Sequence, residues 1–220
     1  DGFIISLKRM RKKISHNNDY IYCTSNVSCT KVARYLYDNK ISGFEFLYGI
    51  PGTIGGAVYM NAGAFKKEIL SYVHSIDTLD SYGKIKTFYN NDLKYSYRLS
   101  GIDDNLLITS IIFKNYEKNF KKDILEKLNH KRKSSQPINQ LSCGCIFRNP
   151  QNNTASKLIE DSNLKGTRVG GIYISNKHSN YFINDGSGTF HDFLKLIDIV
   201  KNKISTNFSI KLEEEVIVIK

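Results

Sequence analysis

Apolar positions recur along the chain in two rhythms. In the first half they form short runs. Phe3–Leu7 and Tyr20–Cys23 read as strands. Val73–Leu79 and Lys84–Phe88 flank Asp80-Ser81-Tyr82-Gly83, a turn sequence, and predict a hairpin. Leu106–Phe113 is apolar and β-branched, the pattern of a buried strand. Between these runs, Ser28 is placed to cap a helix through Val32, Ala33, Tyr35 and Leu36 to Asn39. Helical spacing dominates the second half. Asn119–Lys133 is charged, with Ile124, Leu125 and Leu128 on one face, an amphipathic connector that Pro137 ends. A short strand around Gly144–Phe147, a helix Thr154–Asp161 and strands near Gly171–Ile174 and Tyr181–Asn184 follow. Thr189 caps a long helix, with Asp192 in its first turn. Phe190, Phe193, Leu194, Ile197, Val200, Lys201 and Ile204 keep its i, i+3, i+4, i+7 spacing. Leu212–Ile219 predicts a closing strand. The mixture is α+β, in two units, 1–117 and 118–220.

Composition narrows the setting. No apolar run approaches the roughly 20 residues of a membrane helix. The opening residues lack the basic and long apolar regions of a secretory signal, so a cytoplasmic protein without membrane partners is expected. The first residue, Asp1, is not Met, and the sequence reads as beginning in mid-fold. Net charge is +11, which favours anionic partners: nucleic acid, phosphorylated cofactors or nucleotide sugars. The denser patches, Lys8–Lys13 and Lys131–Lys133, read as solvated surface. No interleaved aromatic and basic motif or reader module favours nucleic acid. The four cysteines, Cys23, Cys29, Cys143 and Cys145, are expected to be reduced, since a chain with an adequate core needs no disulfides.

Four segments carry candidate chemistry. Gly49-Ile50-Pro51-Gly52-Thr53-Ile54-Gly55-Gly56-Ala57 runs on to Asn61-Ala62-Gly63-Ala64. Glycine at this density lets backbone approach a ligand and converges N–H groups on an anion or ring edge. A tight turn packing a helix on a sheet explains the glycines equally well. The spacing is neither Gly-x-Gly-x-x-Gly nor a Walker loop. Cys143-Gly144-Cys145 would be half a metal site, but no second Cys or His pair lies nearby, so no metal is assigned. A single thiol acting as proton donor remains open. Arg98, among Tyr95, Tyr97 and Ser100, would suit a carboxylate or phosphate, but taken alone the segment reads as a surface strand with amphipathic tyrosines. Glu213-Glu214-Glu215 enters the last strand, where alternation puts Glu214 on the face opposite Glu213 and Glu215.

In this order, the segments resemble the UDP-N-acetylenolpyruvoylglucosamine reductase family over essentially the whole chain. Gly43–Ala57 through Asn61–Phe65 resembles its flavin-contacting loop, and Cys145-Ile146-Phe147-Arg148-Asn149-Pro150 its proton-donor motif. Lys157–Asp161, Leu164–Gly166, Arg168–Gly171, Ser175–His178 and Phe182–Asn184 resemble its substrate domain. The resemblance implies a flavin-binding α+β domain of the vanillyl-alcohol-oxidase (PCMH) type and a smaller α+β substrate-binding domain. It implies FAD as bound cofactor, NADPH as co-substrate, a UDP-linked enolpyruvyl amino sugar as substrate, a role in peptidoglycan precursor synthesis, and a monomer. Pro51, Gly52, Thr53, Gly55, Gly56, Asn61, Gly63 and Ala64 would contact the cofactor. Arg98 would hold the substrate carboxylate, Cys145 would donate the proton, and Glu215 would be the C-terminal catalytic acid, protonated or sharing a proton. Tyr97 and Asn149 would contact substrate. Many members have Ser at the position of Cys145. The short path from Leu106–Phe113 to Lys133 resembles the type without a substrate-covering loop. The family pattern places a further part of the FAD domain before the segment matching Asp1-Gly2-Phe3, so the resemblance implies a fragment of a longer protein or a truncated one. A non-catalytic, nucleotide-sugar-binding remnant of the same fold is the competing expectation.

Overall fold

The computed structural model describes residues 4–115, 120 and 122–219. Contacts divide the chain into Asp1–His130 and Lys131–Lys220. The boundary expected at residues 117 and 118, Asn119 at the start of the expected connector helix, and Phe3 lie outside the described residues.

In the first unit, β1 (Ile14–His16), β2 (Tyr20–Thr24), β5 (Val73–Leu79), β6 (Ile85–Tyr89) and β7 (Leu107–Lys114) form one antiparallel sheet, ordered β1-β2-β7-β5-β6. The register pairs Ile21 and Val73 with Phe113, and Ile76 with Ile111, so one face collects large apolar side chains. That face shares a core with α1 (Cys29–Asp38) and α2 (Ile54–Tyr59). The hairpin predicted on either side of Asp80-Ser81-Tyr82-Gly83 forms as β5 and β6. Ser28 caps α1 as expected, its Oγ accepting from the Lys31 N–H at 3.3 Å. The expected first strand does not form. Ile4 and Ile5 are 98% and 74% exposed, and Leu7–Arg9 is a 3₁₀ turn. The Asn26 amide draws this segment into a turn, donating to the carbonyls of Leu7 at 3.0 Å and Met10 at 2.7 Å. A strand three residues long, β1, takes the sheet edge instead.

α2 lies inside the Gly-rich segment and has no apolar periodicity to announce it. Thr53 caps it, accepting from the Gly56 N–H at 3.4 Å. Gly55 is what lets it dock. Its N–H donates to the Ser25 carbonyl at 2.8 Å, and a Cβ there would lie 2.7 Å from Ser25 Cβ and 3.2 Å from the Ser25 carbonyl oxygen. In an open helix Gly→Ala gains about 1 kcal/mol. Here the overlap opposes it, and overpacking of this kind costs about 1–3 kcal/mol. Gly55→Ala is therefore expected to lower the urea midpoint. A midpoint unchanged or raised would show that α2 can slide off Ser25. After α2 comes a two-residue-per-strand hairpin, β3 (Gly63–Ala64) and β4 (Lys67–Glu68).

α3 (Ile124–Ser135) contains the point at which the two units divide. In the second unit, β8 (Arg168–Val169), β9 (Ile172–Ile174) and β10 (Phe182–Asn184) form an antiparallel sheet, with β9 central. Its core is shared with α4 (Ala155–Asp161) and α5 (Phe190–Phe208). The expected α5 start is present as a reciprocal cap. Thr189 Oγ1 accepts from the Asp192 N–H at 3.1 Å, and Asp192 Oδ2 accepts from the Thr189 N–H at 2.9 Å. Those hydrogen bonds hold the Asp192 carboxyl below its usual range. Neither Gly144–Phe147 nor Leu212–Ile219 becomes the expected strand. They meet in a single bridge, Phe147 with Glu214, and Cys145 bridges Tyr181. The Asn180 side chain pairs with both backbone groups of Phe147. Its Oδ1 accepts from the Phe147 N–H at 3.0 Å and its Nδ2 donates to the Phe147 carbonyl at 2.8 Å. Ile217 and Ile219 run out exposed at 68% and 89%.

Candidate active site

In the first unit, the Gly-rich segment is held from behind and open in front. Cys29 N–H donates to the Gly52 carbonyl at 3.1 Å, and Ile54 N–H to the Val27 carbonyl at 2.8 Å. Pro51, Gly52, Thr53 and Gly56 are exposed, while Ile54, Gly55, Ala57 and Val58 are buried. Gly52 has φ +100°, where an L side chain is strained, and no atom lies within 4 Å of where its Cβ would be. The two readings of the glycines thus divide between positions. Gly55 serves packing, and Gly52 with Gly56 leaves a bare stretch of backbone on the surface. That bare stretch fits close approach of a flat ring.

Asn61 stands behind this surface, fully buried and at φ 41°. Its Nδ2 donates to Glu68 Oε2 at 3.0 Å and to the Ser96 carbonyl at 2.8 Å, and its Oδ1 accepts from the Leu70 N–H at 3.2 Å. The side chain expected to touch cofactor is thus engaged within the protein, and joins the β3–β4 hairpin to the turn that carries Arg98. Gly63 is required by the hairpin, since a Cβ would sit 2.3 Å from the Lys67 carbonyl oxygen. Ala64 is partly buried in β3.

The Tyr95–Ser100 segment is a tight turn rather than a surface strand. Ser96 and Leu99 exchange backbone hydrogen bonds at 2.9 and 3.1 Å, leaving Tyr97 and Arg98 at the corner. Arg98 is half-buried with φ 58°, a left-handed conformation that costs a non-glycine residue free energy. Its Nη1 and Nη2 donate to the carbonyls of Asn61 and Gly63, both at 3.4 Å, and its guanidinium carbon lies 4.7 Å from the Tyr97 ring centre. The turn, two carbonyls and a ring therefore fix the plane of the guanidinium, as bidentate recognition of a carboxylate requires.

In the second unit, Cys145 and Glu215 are brought together. The Glu215 N–H donates to the Ile146 carbonyl at 2.7 Å, and the Arg148 N–H to the Glu213 carbonyl at 2.9 Å. Alternation along this extended segment separates the three carboxylates. Glu214 Oε1 pairs with Lys201 Nζ of α5 at 2.8 Å, Glu213 is exposed, and Glu215 is half-buried. Tyr181 joins Cys145 and Glu215. Its hydroxyl hydrogen-bonds the Cys145 thiol, and both Arg132 and Glu215 act on the phenol electrostatically. Burial first, then Cys145 and Glu215, push the phenol above its ordinary range, with Arg132 opposing. The His178 ring meets the Tyr181 ring edge-on, at 4.7 Å between centres. Burial, with a smaller push from Lys165, lowers the His178 pKa. Asn149 is exposed, and its Oδ1 accepts from the Ala155 N–H at the start of α4 at 3.0 Å.

Sequence reasoning missed three members of this cluster. Arg132, from a patch read as solvated, is only 7% exposed. Asn180 and Tyr181 lie in the gap between two segments that were recognisable, Ser175–His178 and Phe182–Asn184. Only the fold places them against Cys145–Phe147. All four cysteines are free thiols, and burial, helped by nearby Cys29, pushes Cys23 up to about 12. Among the described residues, no group of three or more His, Cys, Asp or Glu could hold a metal, and no helix is long and apolar enough to cross a membrane.

Residues 136–219 match the family model for the UDP-N-acetylenolpyruvoylglucosamine reductase C-terminal domain, and residues 1–89 match an FAD binding domain. The UDP-N-acetylenolpyruvoylglucosamine reductase of Fusobacterium nucleatum is 34% identical, over 100% of this chain and 78% of its own length. That of Clostridium kluyveri is 39% identical, over 99% of this chain and 72% of its own. The crystal structure of UDP-N-acetylenolpyruvylglucosamine reductase from Thermus caldophilus shares the fold with TM-score 0.74 at 28% identity, covering 85% of this chain and 68% of that one. With an FAD binding domain in its first unit, a C-terminal domain of this type in its second, and relatives aligned along its whole length, the chain belongs to the UDP-N-acetylenolpyruvoylglucosamine reductase family.

Proposed function

We propose that this chain, with bound FAD, uses NADPH to reduce UDP-N-acetyl-3-O-(1-carboxyvinyl)glucosamine to UDP-N-acetylmuramate. The observation that carries this reading is the Cys145–Tyr181–Glu215 cluster, built on a domain of the reductase type. When bound, FAD would supply hydride-transfer chemistry toward the enolpyruvyl methylene carbon, with NADPH as the reductant. Pro51, Gly52, Thr53 and Gly56 present the backbone surface that would hold the flavin. Gly55, Asn61, Gly63 and Ala64 shape the ground beneath it. Hydride addition leaves negative charge on the carbon beside the carboxylate, so the protein must hold that carboxylate with a cation and deliver a proton. Arg98, its plane fixed, grips the carboxylate, with Tyr97 beside it. Cys145 gives its thiol proton to the carbon, and Glu215 steadies the acid side of the site. Asn149 is the remaining substrate contact, acting from the start of α4. The division of labour by unit, flavin in 1–117 and substrate in 118–220, belongs to the same proposal. The excess positive charge favours capture of a UDP sugar and a phosphorylated dinucleotide.

A visible-spectrum titration of the purified chain with FAD, ending with the enolpyruvyl UDP sugar, tests this directly. A shifted flavin spectrum that shifts again with the sugar is the expected result. No flavin shift, together with calorimetric binding of the sugar, would replace the enzyme by a nucleotide-sugar-binding module of the same fold.

A further inference from the structure

Tyr181 belongs to none of the segments that carried the family resemblance, yet the fold presses it onto the thiol. Cys145 and Tyr181 are partners in an antiparallel bridge. Directly opposed residues of such a bridge point to one face with Cβ atoms about 4.5–5.5 Å apart. The bridge is fixed on both sides. Ile146 N–H donates to the Asn180 carbonyl at 3.0 Å, Ser175 N–H to the Tyr181 carbonyl at 2.9 Å, and Tyr181 N–H to the His178 carbonyl at 2.9 Å. The Asn180 side chain closes on Phe147, and the His178 ring packs edge-on against the phenol.

We propose that Tyr181 is the positioning residue for the Cys145 thiol, orienting Sγ through its hydroxyl and stabilising the thiolate that remains when the proton has gone. This deepens the reading of Cys145 as proton donor and rests on it. In that step the S–H bond breaks and a C–H bond forms at the substrate carbon. Sulfur keeps the electron pair as thiolate, and solvent returns a proton afterwards. Tyr181 keeps its own proton throughout and only donates a hydrogen bond, as burial favours a neutral phenol. The charged and titratable groups facing the pair are Arg132 from α3, Glu215 from the C-terminal segment, and His178 with Lys165 behind it. All are retained when only the hydroxyl is removed.

The test is Tyr181→Phe, which keeps the ring against His178 and removes the donor. It is read in the FAD-loaded chain carrying Cys143→Ser, since Cys143 is the exposed thiol while Cys23 and Cys29 are buried. Iodoacetamide alkylation of Cys145 is followed by mass spectrometry across pH, and its midpoint gives the thiol pKa. A hydrogen bond to the charged form lowers a pKa. The midpoint is therefore expected to rise by about one unit in Tyr181→Phe, which cuts the thiolate fraction at neutral pH about tenfold. The pH limb of substrate reduction should move in the same direction. An unchanged midpoint with native circular dichroism would overturn the proposal, because a purely structural role leaves the thiol's titration alone. Alkylation requires no turnover, so a shifted midpoint beside normal turnover of Cys145→Ala would keep the coupling and remove the proton-donor reading.

Discussion

Cys145→Ala is expected to reduce the enolpyruvyl sugar about 10²- to 10⁴-fold more slowly, the range a positioned proton donor contributes. Flavin reduction by NADPH should be unaffected, because no proton is then delivered to a substrate carbon. Stopped-flow absorbance separates the two half-reactions: bleaching of the flavin by NADPH, then its return when the sugar is added. Cys145→Ser should retain substantial activity, since a hydroxyl at the same bridge position can still meet the Tyr181 hydroxyl, on which Arg132 and Glu215 act. A thiol is the stronger acid, with a free pKa of about 8.5. Serine needs more help from the surrounding donors but escapes oxidation, to which a half-buried thiol is exposed. Full turnover by the Ala variant would remove Cys145 from the reaction, and the second unit would then have to supply its proton from Glu215 or solvent.

Segments whose pattern is local were legible in the sequence. The β5–β6 hairpin is visible because turn residues separate two apolar runs, and α5 because nineteen residues keep one apolar stripe behind a Thr189–Asp192 cap. α2 was not legible. It has six residues, two of them Gly55 and Gly56, and what drives it helical is docking onto Ser25 rather than propensity or period. Ile4 and Ile5 mislead in the opposite sense, being strand-like in type but exposed in the fold. The candidate site divides the same way. Arg98, Cys145 and Glu215 were visible through their segments. Arg132, Asn180 and Tyr181 were not, since each acts across long sequence separations: Asn180 lies 33 residues from Phe147, whose backbone it satisfies. Composition suggests that a basic patch is solvated, and it says nothing of what Asn180 pairs with. Only tertiary packing buries Arg132 and turns an Asn side chain into a substitute strand.

That substitute makes Asn180→Ala the largest stability change expected in the second unit. Asn180 is 2% exposed, and Phe147 1%. The substitution leaves the Phe147 N–H and carbonyl without these partners in a closed environment, at about 1–3 kcal/mol for each buried group left unsatisfied. The sum is about 2–6 kcal/mol, less where solvent reaches Phe147. Asn180→Asp is the informative companion. A carboxylate can still accept from the Phe147 N–H, but it sets a charged oxygen against the Phe147 carbonyl in a closed environment, so at neutral pH it should destabilise at least as much as Ala. Urea unfolding followed by far-ultraviolet circular dichroism gives the free energies. The Cys145 alkylation midpoint, read on the same samples, reports whether the bridge to Tyr181 survives. Loss of stability together with a displaced midpoint is expected, because the clamp on Phe147 and the bridge at Cys145 are two residues apart on one segment. A change of less than about 0.5 kcal/mol, the usual range for surface substitutions, would mean that the Phe147 groups find other partners and that Asn180 does not hold the thiol segment in place.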